Sequence, residues 1–337
     1  GVYHVVTERA SDAEQAAFWA AQGEFTNDEM LAIAIPERFV WSSARLALPG
    51  ILAEIEDWRP DILLRESAEF ASVIAAEIHG LPSAVVEVHN GPTEVRLHNL
   101  ASPRLDDLRA EAGLAPDGGA ALRREPGFTA FPATMDAATG RAAESPVRFR
   151  VRTAPPMAID SARPPSWRRI PERPFVYATF GTVADGKNLT AYRAAIEALG
   201  GLGVEALLTT GPHVDPDALG AVPDNVRIES FVAQAEVLGH AAAVLCHGGS
   251  GTLLGALAAG RPLVVAPLFA DQPDNAAVVA ALGCGLVASA TDAAAMGAAL
   301  ARVLSEAQFG ESARAVAAEI AALPGMDEAV AALEAMV

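Results

Sequence analysis

The sequence predicts an α/β protein of two halves, each built on a parallel sheet. Three observations carry this. Short apolar runs of strand length alternate with amphipathic helical stretches, first between Ile62 and Val88 and again from Phe175 onward. A chain of 337 residues suits two domains. Between the halves, residues 152–174 are dense in proline and arginine and read as a linker. The expected division is 1–151, linker 152–174, and 175–337.

In the first half, Ser11-Asp12 precede a helix through Trp19, and a second amphipathic stretch, 39–58, is interrupted by Pro49-Gly50. Ile62–Leu64 reads as a short buried strand, 69–79 as a helix ended by Gly80, and 83–88 as the next strand, a βαβ unit with parallel strands. His89-Asn90-Gly91-Pro92 then opens a loop at a strand's carboxyl end, where ligands bind in such sheets. A charged helix over 104–113 ends on Gly113, and 128–135 and 147–151 read as two further strands. The second half runs strand 175–180, helix 189–200, strands 204–209 and 226–228, strand 241–246, helix 252–259, strand 263–267 and strand 286–287. Helices near 292–306, 309–322 and 326–336 follow.

Composition narrows the function. With 51% hydrophobic and 20% charged residues the chain can bury a large core. It carries 24 Lys and Arg against 42 Asp and Glu, a formal charge of −18, and no basic patch of the kind nucleic acid requires. An anionic ligand must then be held by local donors against an unfavourable overall field. The two cysteines, Cys246 and Cys284, form no CxxC motif and read as small buried hydrophobes. No HExxH occurs, and Asp215-Pro216-Asp217 sits in a polar turn, so no metal site is expected. No apolar run spans a membrane, no signal peptide is visible, and the default is a cytoplasmic protein.

The stretch that organises the chain is Cys246–Asn275, CHGGSGTLLGALAAGRPLVVAPLFADQPDN. A buried strand leads into Gly248-Gly249-Ser250-Gly251 and then into a helix. Such a turn presents unpaired N–H groups at the positive end of a helix dipole. Glycines allow close approach of a phosphate. His247 at the strand exit can donate a hydrogen bond or positive charge to the same anion, and Thr252 a hydroxyl. A diphosphate is the natural guest. Without a partner stretch, the glycines could serve only to pack helix on strand.

HGGSGT followed by AGRPLVVAPLFADQPDNA resembles the donor-binding signature of the family-1, UDP-glycosyltransferase-like enzymes. The RPDILLRESAEFASVIAAEIHGLP segment resembles the same family's acceptor domain. The resemblance implies the GT-B fold, two facing Rossmann-like domains with parallel sheets, and inverting, metal-independent sugar transfer. It implies that His247, Gly248, Gly249, Ser250, Gly251 and Thr252 hold the donor diphosphate and that Asp271 and Gln272 contact the sugar, a role compatible with the plainer one of capping the next helix. Phe180-Gly181-Thr182 matches the family's turn after the first donor-domain strand, so Gly181 and Thr182 join the donor set. Phe231-Val232-Ala233-Gln234 stands where the family has Trp-x-Pro-Gln, which implies that Phe231 stacks on the base and that Val232 and Gln234 flank it. The ribose-gripping Glu of plant members is replaced by Gly255, which leaves UDP and TDP both open.

The family's catalytic His, near the first strand of its N-terminal domain, has no counterpart, since His4 lies in the wrong context. The expectation is that about two βα units, on the order of 60 residues, precede Gly1 in the family plan. Glu66 falls where the acid that orients this His belongs, with Glu69 a second candidate and an exposed strand-end charge the plainer reading. The reading is a glycosyltransferase, or a piece of one, with a nucleotide sugar as co-substrate (UDP- or TDP-linked), no cofactor and a lipophilic hydroxyl-bearing acceptor. Homodimerisation stays open. A nucleotide-sugar epimerase or hydrolase and a catalytically silent nucleotide-binding partner are the alternatives. If the base is absent, this chain binds nucleoside diphosphate but transfers sugar slowly.

Overall fold

A computed structural model describes residues 26–138, 148–153, 173–181, 188–212 and 214–337. The helix expected over 11–19, His4, nearly all of the 152–174 linker, and Thr182 lie outside the described residues. The chain groups into two compact units.

The first unit opens with helix α1 (Asn27–Ile33), started by a capping box in which Thr26 and Glu29 exchange hydrogen bonds. A π-helical stretch, Ala34–Ala44, and α2 (Arg45–Trp58) continue it. The expected break at Pro49-Gly50 is absent: α2 runs through Pro49, with Leu48 and Ile55 buried on its inner face. Tertiary burial here outweighs the local cost of a proline. Strand β1 (Leu63–Glu66), α3 (Ala71–His79) and β2 (Ser83–Glu87) form the expected parallel βαβ unit. Glu66 is the last residue of β1 rather than a residue beyond it.

The His89–Pro92 loop is instead a helix start. Asn90 caps α4 (Gly91–Glu111) by accepting from the Thr93 N–H at 3.1 Å, and Pro92 falls in the first turn, where its missing N–H costs nothing. The helix expected over 104–113 is therefore the second half of a longer one that passes through Pro103 and ends at Glu111, with Gly113 left-handed just beyond. After α5 (Ala120–Arg124), the strand expected over 128–135 stops early as β3 (Gly127–Thr129), because Pro132 starts α6 (Ala133–Ala137). Strand β4 (Arg148–Arg150) completes a parallel sheet in the order β1-β2-β3-β4.

The second unit is a six-stranded parallel sheet. Its strands are β5 (Phe175–Thr179), β6 (Glu205–Thr209), β7 (Val226–Glu229), β8 (Ala243–Cys246), β9 (Leu263–Val265) and β10 (Gly285–Val287), in the order β10-β9-β8-β5-β6-β7. Both faces are covered, as a parallel sheet requires. Val176, Ala178 and Leu208 point into one core with helix α7 (Leu189–Gly200), while Phe175, Tyr177 and Leu207 point into the other. Helices α8 (Gln234–Leu238), α9 (Ser250–Ala258), α10 (Gln272–Ala281), α11 (Ala293–Ser305) and α12 (Ala307–Ala322) connect the strands and follow them.

The units do not follow the sequence halves at their edges. Phe131 and Met135 are fully buried in the second unit's core. The last helix, α13 (Met326–Glu334), groups with the first unit, where Ala329 packs with Ala84, Phe128 and Val151.

Candidate functional site

The second sheet reverses its order at β5: β6 and β7 are added on one side, then β8, β9 and β10 on the other. Ligands bind at such a switch point, beyond the strand carboxyl ends. The registers set Thr179 level with both Thr209 and Cys246, so the loops after β5, β6 and β8 leave from one edge. They surround a cavity of about 540 Å³.

Gly181, Phe231, Val232, Gln234, His247, Gly249, Ser250, Gly251, Thr252, Asp271 and Gln272 all line this cavity. Gly248 sits behind it: at φ +91° a Cβ would lie 2.7 Å from Val265 Cγ1, and its carbonyl accepts from Asn275 Nδ2 at 2.9 Å. The sequence reading missed Tyr177, Thr179, Thr209, Ser230 and Phe269, which also line the cavity. The signal was available for three of them, since Thr179, Thr209 and Ser230 each end or follow a parallel strand.

Helix α9 begins at Ser250 with Gly249 as its N-cap, and no side chain caps it. The N–H groups of its first turn therefore face the cavity without intrahelical partners. His247 stands beside them. A Cβ on Gly249 would lie 2.6 Å from His247 Nε2, and one on Gly181 2.8 Å, so both positions are bare because the imidazole occupies that space. His247 Nδ1 is buried without a hydrogen bond. Burial lowers the His247 pKa, while the Asp271 carboxylate and the Thr179 carbonyl oppose that.

Gln234 Nε2 donates to Thr252 Oγ1 at 3.0 Å, which turns the Thr252 hydroxyl proton toward another acceptor. Ser250 Oγ and Asn275 Nδ2 both donate to Asp271 Oδ2 at 2.9 Å. Gln272 is buried, and its Oε1 accepts from the N–H groups of Leu268 and Phe269 at 2.8 and 3.0 Å. Phe231 is 59% exposed, with its ring open for stacking.

The remaining expected residues do not join this cavity. Asp215 accepts from Asp217 N–H at 3.0 Å in a short 3₁₀ turn. Cys246 and Cys284 are buried free thiols, and burial pushes their pKa values up to about 12 and about 11. In the first unit, Glu66 is exposed and its Oε2 accepts from Ala68 N–H at 3.0 Å. Glu69 Oε1 accepts from Ala71 N–H at 2.7 Å, at the start of α3. Among the described residues no group of three or more His, Cys, Asp or Glu could hold a metal, and no helix is long and apolar enough to cross a membrane.

Comparison with known proteins bears on this site. Residues 193–336 match the model of the erythromycin biosynthesis protein CIII-like C-terminal domain. The chain is 34% identical over 285 residues to the elloramycin glycosyltransferase of Streptomyces olivaceus, covering 82% of this chain and 69% of that protein. It is 30% identical over 301 residues to the tylactone mycaminosyltransferase of Streptomyces fradiae, covering 82% and 65%. The chain thus spans about two thirds of the length of these curated relatives. Among solved structures, the glycosyltransferase SnogD from Streptomyces nogalater superposes with a TM-score of 0.74 at 24% identity, over 99% of this chain and 85% of that one. The glycosyltransferase VinC in complex with DTDP superposes with a TM-score of 0.73 at 22% identity, over 98% and 83%.

Proposed function

The chain belongs to the family-1 GT-B glycosyltransferases, and from that premise we propose that it moves a sugar from a nucleoside-diphosphate sugar to a hydroxyl of a lipophilic natural-product aglycone, with inversion at the anomeric carbon. One observation carries the donor assignment. The uncapped N-terminus of α9 and the His247 imidazole face the same cavity at the switch point of the sheet. N–H groups at a helix start and a neighbouring imidazole make a diphosphate site.

In this reading the diphosphate lies against the first turn of α9, with His247 and the Thr252 hydroxyl as further donors. Phe231 stacks on the base. The sugar reaches toward Asp271, whose Oδ2 is occupied by Ser250 and Asn275, so that Oδ1 is the oxygen left to a sugar hydroxyl. At Gly255 a Cβ would meet Leu238 Cδ1 at 3.2 Å, which leaves little room for a ribose-gripping carboxylate and favours TDP over UDP. The crystallised complex of VinC with DTDP is consistent with this choice. The acceptor oxygen attacks the anomeric carbon from the face opposite the diphosphate. As that bond breaks, charge gathers on the diphosphate oxygens, and the preorganised donors stabilise it without a metal.

His247→Ala is expected to weaken TDP binding by about 1.5–3 kcal/mol, the range for a hydrogen bond to a charged group. Calorimetry on the folded variant checks this, and unchanged affinity would remove the diphosphate from this site. Excess chelator is expected to leave the transfer rate unchanged, whereas a strict need for Mn²⁺ would overturn the metal-free mechanism.

A further inference from the structure

Four side chains that line the second unit's cavity form one hydrogen-bonded chain. Tyr177 stands on β5, the strand between β6 and β8, and its ring is buried in the core with Leu207 and Val244. Its hydroxyl lies 3.0 Å from Oγ1 of Thr209, the last residue of β6. Gln234, the first residue of α8, donates from Nε2 to the Tyr177 hydroxyl at 3.4 Å. The same nitrogen donates at 3.0 Å to Oγ1 of Thr252, in the first turn of α9.

A phenylalanine ring would fill the same apolar space, so the Tyr177 hydroxyl is explained by what it bonds. Donor and acceptor chemistry gives the chain a direction. The amide nitrogen has two N–H groups and accepts nothing, and it meets two hydroxyl oxygens. Each hydroxyl has one proton. That of Tyr177 is left for Thr209 Oγ1, and that of Thr252 is left for a guest in the cavity. Burial raises the Tyr177 pKa against the pull of Thr209, Gln234 and Thr179, so the phenol keeps its proton. Without the Tyr177 oxygen, the second N–H of Gln234 loses its acceptor and the amide can turn Oε1 to Thr252. Thr252 would then give its proton to Gln234 and offer an anion only lone pairs.

We propose that Tyr177 is a positioning residue for the donor diphosphate: acting through Gln234, it keeps the Thr252 hydroxyl a donor to the phosphate oxygens. The proposal rests on the donor reading above.

Calorimetry with TDP on the full chain tests it through a double-mutant cycle. Thr252→Val should weaken TDP binding by about tenfold or more, the loss of a hydrogen bond to a charged group. Tyr177→Phe, which keeps the ring, should weaken it by about three- to tenfold, the range for a neutral hydrogen bond. Adding Tyr177→Phe to Thr252→Val should then change affinity by less than about twofold, because the hydroxyl it steers is gone. A merely structural tyrosine would loosen the cavity in either background, and the two losses would multiply. Thr209→Val serves as the second variant should Tyr177→Phe fail to fold. It turns the phenol proton toward Gln234, which draws Oε1 inward and should give the same loss, again absent beside Thr252→Val. Losses that multiply overturn the proposal, as does a Tyr177→Phe affinity within about twofold of wild type, and both leave the donor reading standing. Wild-type protein with no affinity for TDP overturns the donor reading and the proposal with it.

Discussion

At the residue scale, one imidazole dictates two glycines. Gly249 has φ −61° and ψ 138°, extended backbone open to any residue, so an alanine there is unstrained and only its Cβ, 2.6 Å from His247 Nε2, matters. Gly249→Ala is therefore expected to displace the ring and cost TDP affinity as His247→Ala does, about tenfold or more, in a folded protein. Affinity equal to wild type would show that the ring shifts freely. Gly181, at φ +83°, would add backbone strain to the same clash and makes a less clean test. A second prediction concerns His98, whose pKa burial lowers to about 4, with Arg65, Arg123 and Arg148 adding to the effect against the pull of Glu94. The unfolded chain takes up this proton near pH 6.5 and the folded chain only near 4. Stability is thus fully present above pH 6.5 and is lost as pH falls toward 4, by on the order of 3 kcal/mol. His98 Nε2 is also buried without a partner, so His98→Leu should flatten that slope in denaturant melts between pH 7 and 4.5. A slope equal to wild type would place the proton uptake elsewhere.

At the scale of elements, α9 and α10 position the site by tying their own entry loops. Gln272 closes the loop between β9 and α10 through the Leu268 and Phe269 N–H groups, and Asn275 ties Gly248 to Asp271. Gln272→Ala is therefore expected to weaken free TDP as well as the sugar donor, because the loop it holds loosens. Asp271→Ala should slow transfer while leaving TDP affinity nearly intact. Intact TDP affinity with slowed transfer in Gln272→Ala would show instead that its amide serves the sugar. Asn275→Ala leaves a buried carbonyl unpaired and should cost about 1–3 kcal/mol of stability in denaturant melts.

At the scale of the whole molecule, sequence order and unit membership part company. Phe131 is fully buried in the core of the second unit although it precedes that unit's first strand by more than 40 residues. Phe131→Ala is expected to destabilise that unit by about 3–5 kcal/mol, the usual cost of a large core cavity. The matching readout is the thermal transition that excess TDP raises, since a ligand stabilises only the unit that binds it. A lowered transition that TDP does not move would assign Phe131 to the other unit.

Much of this was legible in residue order. The alternation of apolar runs and helical stretches determined two parallel α/β units, because strand and helix periods are local properties of the chain. The HGGSGT turn and the ADQPDN loop together pointed to one site, because a glycine-rich turn at a helix start exposes N–H groups and the second loop follows it at a fixed spacing. Three things were decided only in three dimensions. Asn90 opens a long helix rather than a loop, because a cap depends on where its side chain finds an N–H. Glu66 and Glu69 serve backbone turns while Glu94 meets His89, because α4 must pack before its inward face exists. Phe131 and Ala329 cross to the opposite units because apolar burial is blind to sequence position and rewards whichever core has the matching space.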